Sequence, residues 1–294
     1  MVRYIGVILF DRLWPGVFRQ PATVAVQKFE GRSGGWVAER STAACVSRDR
    51  LTVATYNIWF NDKHAEARYR AIADLLSRDR PDVMAFQEVT PKALAVFREQ
   101  AWVREYYVSA AVTGASVGNY GLLLLSRLPL DRVTYTKLPT RLSRGYLTAQ
   151  LTINGEPLSV LAVHLESSKA ATQLRARQLG RIFDSQRTAQ SVIVMGDLNM
   201  RDNENHLLDT SYRDVWPVLH TREPGYTEDT SINLMRYDMK NKHRHVRFDR
   251  VLVKGQAWVP KAIGLLGREP IAKDLPRVFP SDHFGVMCEF IRGT

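Results

Sequence analysis

"SVIVMGDLNMRD", Ser191–Asp202, is the stretch on which the reading of the fold turns. Four large apolar residues, Val192–Met195, run into Gly196, and the chain then becomes acidic and polar. Such a run suits a strand buried on both faces and is too short for a core helix. In extended backbone residues i and i+2 point to one side, so Asp197 and Asn199 reach a common ligand while Leu198 faces away. An Asp after Gly is, on its own, an ordinary turn former. The pattern gains meaning only because it recurs.

Moving outward, "LTVATYNIW", "DVMAFQEV", "EYYVSAAV", "GLLLLS", "YLTAQLTI", "LSVLAVHLES", "FDRVLVKG" and "FGVMCEFI" also read as buried strands. Several carry polar residues at one end: Asn57, Glu88, His164 with Glu166, Asp249, and Asp282 with His283. Strands of one sheet releasing acids, amides and imidazoles at one edge would assemble a polar pocket. Helical stretches lie between some of them. Tyr69, Ile72, Ala73 and Leu76 fall at helical spacing before Pro81, and Thr90 with Pro91 forms a helix-opening pair. Leu179, Ile182 and Phe183 mark one face of a helix within residues 169–187. Strands outnumber helices without alternating regularly, which predicts sheets packed together with helices outside. One catalytic domain is expected over residues 51–294. Residues 1–50 read as an N-terminal extension, with "ATVAVQKF" and "GGWVAER" as an edge hairpin.

The 294 residues carry 41 Lys and Arg against 30 Asp and Glu, a formal charge of +11, which points to a polyanionic partner such as nucleic acid or an anionic surface. Two cysteines, Cys45 and Cys288, form neither a disulfide framework nor a zinc pattern, so a reducing compartment, nucleus or cytoplasm, is expected. The apolar run Tyr4–Phe10 is too short to span a bilayer and lacks a cleavage site. No membrane partner is expected.

The polar set suits phosphodiester hydrolysis, which needs a hard cation, a base to orient or deprotonate water, and donors for the phosphoryl oxygens. Glu88 is a ligand of the type Mg2+ accepts, Asp197 a base, Asn199 and protonated His283 donors, and Asp249 a carboxylate that holds His283 charged. A strained serine elbow and a Gly-rich phosphate loop are both missing, which disfavours covalent serine and phosphate-loop mechanisms.

"TYNIW", "FQEV", "HLES", "GDLNMRD", "RFDR" and "FPSDHFG" occur in the order and approximate spacing of the endonuclease/exonuclease/phosphatase superfamily, over residues 51–294. The resemblance implies an α/β fold of the DNase-like kind: a four-layer α/β sandwich, two mixed β-sheets face to face with helices outside. It implies Mg2+-dependent attack of water on phosphorus, with Mn2+ as a substitute. The fuller strings "VHLESSK", "GDLNMRD", "GYTEDT" and "VRFDRVLV" look most like the branch that removes tyrosyl adducts from DNA 5′-phosphates, with a single-stranded or overhanging end as partner and a monomeric enzyme. Carried over, Glu88 would ligate Mg2+, with Asn57 and Asp282 acting through water. Asp197 would be the acid/base, and Asn199 and His283 would hold the scissile phosphate. His164, Ser167, Lys169, Arg175 and Arg201 would contact the DNA end, and Phe248 would stack near it, with Asp249 orienting His283.

Four positions depart from that pattern. Trp59 stands where the family has a metal-binding Asp, which implies weaker Mg2+ binding. Glu228 replaces an aromatic, which removes a stacking surface and would repel nearby phosphate. Leu198 replaces a Thr. Lys169 replaces Arg, keeping charge without bidentate geometry. Two other readings stay open: a different phosphodiesterase of the superfamily (an abasic-site or other nuclease, or a sphingomyelinase-like enzyme), and a non-catalytic nucleic-acid-binding protein. The segment "RYDMKNKHRHVR", Arg236–Arg247, is a candidate to track a DNA backbone or a solvated loop.

Overall fold

In the computed structural model, residues 20–39 and 46–293 are described. Tyr4–Phe10, Cys45 and the rest of the first nineteen residues lie outside them. Two mixed sheets form the centre. The first has seven strands in the order Ala22–Thr23, Arg132–Lys137, Gly145–Ile153, Glu156–His164, Val192–Asp197, Asp249–Lys254, Tyr212–Asp214. The second has eight: Trp258–Leu266, Gly285–Arg292, Arg50–Asn57, Val83–Val89, Gly121–Ser126, Val108–Val112, Gln27–Glu30, Gly35–Ala38.

Side-chain alternation builds the layers. Ile193 and Met195 enter one apolar cluster with Val53, Ala85 and Leu124, so this cluster fills the space between the sheets. Val192 and Val194 point the other way and pack on Leu179, Ile182 and Phe183 of the helix Thr172–Ser185. On the far face of the second sheet, Tyr56, Met84 and Phe86 pack on Tyr69, Ile72, Leu76 and Phe97 of the helices Ala65–Asp79 and Pro91–Glu99. Helix, sheet, sheet, helix is the four-layer sandwich. Strands covered on both faces are why Val192–Met195 needs no polar alternation. Thr90 caps its helix as read, its hydroxyl accepting from the Ala93 amide at 3.1 Å.

Some local readings change. Glu105 and Tyr106 of "EYYVSAAV" end the short helix Ala101–Tyr106, and the strand starts at Val108. The strands Arg132–Lys137 and Trp258–Leu266 have no apolar run to announce them. The latter contains Pro260 and is tolerated because it lies at a sheet edge, with a bulge between Pro260 and Ala262. Gln27–Glu30 pairs antiparallel with Gly35–Ala38, and this hairpin pairs onto Val108 and Ser109 at the edge of the eight-stranded sheet.

Each sheet centres on one parallel pair. Glu156–His164 runs parallel to Val192–Asp197 with His164 opposite Asp197, and Asp249 lies opposite Asp197 on the other side. Arg50–Asn57 runs parallel to Val83–Val89 with Asn57 opposite Gln87, and Gly285–Arg292 enters beside it directly after Asp282 and His283. Strand polarity therefore brings the polar ends from both sheets to one edge of the sandwich.

Candidate active site

Gly196, the last residue but one of its strand, has φ +147°, and a Cβ there would fall 2.0 Å from the Val163 carbonyl oxygen. Only glycine fits. The next residue, Asp197, is 1% exposed, and four donors surround its carboxylate. Oδ2 accepts from Asn57 Nδ2 at 2.9 Å and Asn199 Nδ2 at 3.1 Å, with His164 Nε2 at 3.4 Å. Oδ1 accepts from the Asn199 amide at 2.8 Å. Burial works against the ionised form, but the His164 contact, the charge of His283 and the Asn57 donor outweigh it and hold the carboxyl well below its usual range.

The tautomer of His164 follows from its partners. Arg144 Nη1 sits 3.0 Å from His164 Nδ1, and a guanidinium only donates, so Nδ1 must accept and Nε2 carries the proton toward Asp197. Burial and Arg144 push the ring down to about 4, so it stays neutral at pH 7. Expected at the DNA end, His164 is instead turned inward, with Nδ1 against Arg144 and Nε2 at the longer 3.4 Å from Asp197. Arg144, also held by Tyr120 Oη at 3.0 Å, was not anticipated from sequence. Its partnership with His164 depends on Gly145 lying opposite His164, a register no local pattern reveals.

Asn199 is placed beside Asp197 as expected, at φ +51°. Its amide NH2 donates to Leu165 O at 3.1 Å and to Asp197, so both of its N–H groups point into the protein. The side chain braces Asp197 and offers only its oxygen outward. Asn57 behaves alike: Nδ2 serves Asp197, and Oδ1 accepts from the Trp59 amide at 3.1 Å. Ser281, also unanticipated, donates from Oγ to the Asn57 carbonyl at 2.6 Å, tying the His283 loop to the other strand end.

His283 is 8% exposed, and its Nδ1 lies 2.8 Å from Asp249 Oδ2. Burial opposes a charged ring, but Asp249, Asp282 and Asp197 more than offset it and raise the imidazole well above its ordinary value. The shift favours the protonated ring, and Nε2 is unpartnered among the described residues. Asp249 is aligned by the Thr227 hydroxyl, which accepts from the amides of Phe248 and Asp249 at 3.0 and 3.1 Å.

Glu88 sits on a bulge of the second sheet at φ +63°, a strained backbone that turns its side chain away from the ladder. Its Oε2 accepts from the Phe60 amide at 3.1 Å. Burial and the neighbouring charge of Asp282 push its carboxyl up to about 7. Arg144 and His283 only partly offset this, and two neighbouring acids, one driven toward its neutral form, are donors that a hard divalent cation fits. A second group, Asp197, Asp249 and His283, offers ligand atoms within 4.8 Å of one another. There His283 Nδ1 and Asp249 Oδ2 already hold each other at 2.8 Å, so neither atom is free for a metal. Trp59 contributes nothing to a cation: its ring packs against Met235, Val278, Phe279 and Phe284, with the Arg68 guanidinium 4.7 Å from its centroid.

The remaining expected contacts divide. Ser167 is half-buried and Lys169 exposed beside the helix start. Arg201 is half-buried, its guanidinium 5.5 Å from the Phe248 ring centroid. Phe248 is 4% exposed and 6.0 Å from the His283 ring, so it supports the histidine and presents no open stacking face. Arg175 does not face the cleft at all. It is fully buried, bonded to Glu204 at 2.5 and 3.1 Å and to the carbonyls of Glu166 and Ser168, and it locks the loop that precedes its helix. Helical spacing placed it near the motif but could not say toward which side it turned. Glu228 is 2% exposed, yet its charge is met by Arg236 at 2.9 Å and Arg244 at 3.0 Å, so it is a buried anchor and not an exposed repulsive charge.

The sequence of the chain is similar to tyrosyl-DNA phosphodiesterase 2 of Xenopus laevis, 30% identical over 82% of this chain and 66% of that protein. It is likewise 30% identical to tyrosyl-DNA phosphodiesterase 2 of Rattus norvegicus, over 86% of this chain and 70% of the relative. The chain thus spans about two thirds of the length of these relatives. Among solved structures, D. rerio TDP2 complexed with single-strand DNA product superposes with a TM-score of 0.70 at 27% identity, covering 83% of this chain and 99% of that one. Truncated Caenorhabditis elegans TDP2 gives 0.72 at 25% identity, over 82% and 97% of the two chains. The model of the Endonuclease/Exonuclease/phosphatase family matches residues 54–283, which include every strand end that builds the site, and the chain belongs to that family.

Proposed function

We propose that the chain hydrolyses the bond between a tyrosine side chain and the 5′-phosphate of DNA, leaving a free 5′-phosphate. The observation that carries this reading is Asp197, held toward its ionised form, and His283, held toward its protonated form, brought from the two sheets to one edge of the sandwich, in a chain similar to tyrosyl-DNA phosphodiesterases 2. Asp197 Oδ1 keeps a lone pair to accept a hydrogen bond from the attacking water. Because its carboxylate is held so firmly in the charged form, its contribution is to fix the direction of attack more than to remove a proton early. His283 donates from Nε2 to a phosphoryl oxygen as charge builds there. Asn57, Asn199 and neutral His164 keep the Asp197 carboxylate from rotating.

Mg2+, or Mn2+ in its place, held by Glu88 with Asp282 and the Asn57 oxygen through water, would supply positive charge to the phosphoryl group. The water oxygen bonds phosphorus as the phosphorus–phenol oxygen bond breaks; the tyrosine oxygen departs with the electron pair, and the water's proton, hydrogen-bonded to Asp197, passes late in the step through that carboxylate to solvent. A phenol has a pKa of about 10, so it leaves with little help from a general acid. That is consistent with a site whose charged groups serve water and phosphate. Incubating the protein and Mg2+ with a 5′-phosphotyrosyl oligonucleotide should release a 5′-phosphorylated strand, and a chelator or Asp197→Asn should stop it. An intact phosphotyrosyl strand beside a cleaved abasic-site duplex would refute the substrate assignment.

A further inference from the structure

Glu228 holds two arginines of different character. Arg236 is buried, and besides Glu228 it lies 3.8 Å from Asp282, so it ties Glu228 to the His283 loop. Arg244 gives only Nε to Glu228. Its side chain is 27% exposed, no further ion pair engages its amino ends among the described residues, and its guanidinium lies 5.7 Å from the Phe248 ring. Arg201 reaches the same ring from 5.5 Å and forms no ion pair among the described residues. Burial and the charges of Arg175 and Arg244 push Arg201 below its ordinary value. Two guanidiniums therefore lie against one buried ring, itself 6.0 Å from His283, near enough for the charge of Arg244 to act on Arg201, and Glu228 neutralises a single charge of the three. Such a gathering is favourable when an anion sits between the forks.

We propose that Arg244, aimed by the buried Glu228, grips the backbone phosphate next to the scissile one in a single DNA strand, adding to the Arg201 contact that the family resemblance implies. The inference rests on the reading above that the cleft takes a 5′ DNA end. It assigns strand recognition at this point to charge and bidentate geometry and not to base stacking, since Phe248 is covered.

The test is binding of a short 5′-phosphorylated oligothymidylate, followed by fluorescence anisotropy in chelator over a salt series. It needs no turnover and so reads the arginine pair separately from the cleavage assay. Arg244→Ala should weaken binding about tenfold, the worth of one charge-assisted hydrogen bond. The slope of log affinity against log salt should fall by about 0.7. Arg244→Lys should keep most of that slope. Glu228→Gln should also weaken binding, although it removes a negative charge. An unchanged salt slope in Arg244→Ala, or tighter binding in Glu228→Gln, would overturn the proposal. Arg244 is partly exposed, so its variants carry the test even if Glu228→Gln does not fold.

Discussion

Glu88→Gln should stabilise the metal-free protein at alkaline pH. In the folded chain the Glu88 carboxyl is pushed from 4.5 up to about 7, so the native state binds this proton more tightly than the unfolded chain does. The resulting stability is fully present below about pH 4.5 and is lost as pH rises through about 7. Above that, an ionised Glu88 beside Asp282 costs the fold about 3 kcal/mol, from the difference between the two values. For a domain of this size that is roughly 6–10 °C in Tm. Thermal unfolding from pH 5 to 9 in chelator should show the wild type losing stability through neutrality and the variant following a flatter course. Adding Mg2+ at pH 8 should recover the wild type far more than the variant, because binding to the native state alone raises its stability. Parallel curves for the two proteins in chelator would refute the assignment of the strained acid to Glu88.

Three further outcomes follow from the same geometry. Asp197→Asn should lower kcat on a phosphotyrosyl oligonucleotide by about 10^3-fold, within the range for loss of a positioned base, while circular dichroism still reports a folded chain. His164→Ala deprives Asp197 of a donor, so its carboxyl should rise and the acidic limb of the kcat–pH profile should move to higher pH. A profile that drops in height without moving would count against that role. Arg175→Ala leaves Glu204 without its buried partner and should cost about 3–5 kcal/mol in urea unfolding, the usual penalty for breaking a buried pair.

Much of the fold was legible because its signals are local. Val192–Met195, Val83–Phe86 and Leu122–Leu125 are apolar runs that can only be buried on both faces, and Thr90 with Pro91 marks a helix start wherever it occurs. Strands without such runs were not legible. Arg132–Lys137 is half-polar, and Trp258–Leu266 carries a proline that only its edge position excuses.

The site divides along the same line. Chain order alone was enough to place Asp197, Asn199, Glu88, Asp249 and His283 as polar residues at strand ends, because side-chain type and the two-residue period belong to the backbone itself. What each of them does with its lone pairs and protons depended on register and packing. His164 faces Asp197 because the two strands run parallel, and its tautomer depends on Arg144 arriving from the neighbouring strand. The same holds for charge. Arg175, Arg201, Arg236 and Arg244 are equivalent letters in a sequence, yet the first two guanidiniums differ from buried brace to half-exposed donor, and the last two share one hidden carboxylate. A side chain's type is written residue by residue, whereas its solvation and partners are properties of the space between elements, and only the folded chain creates that space.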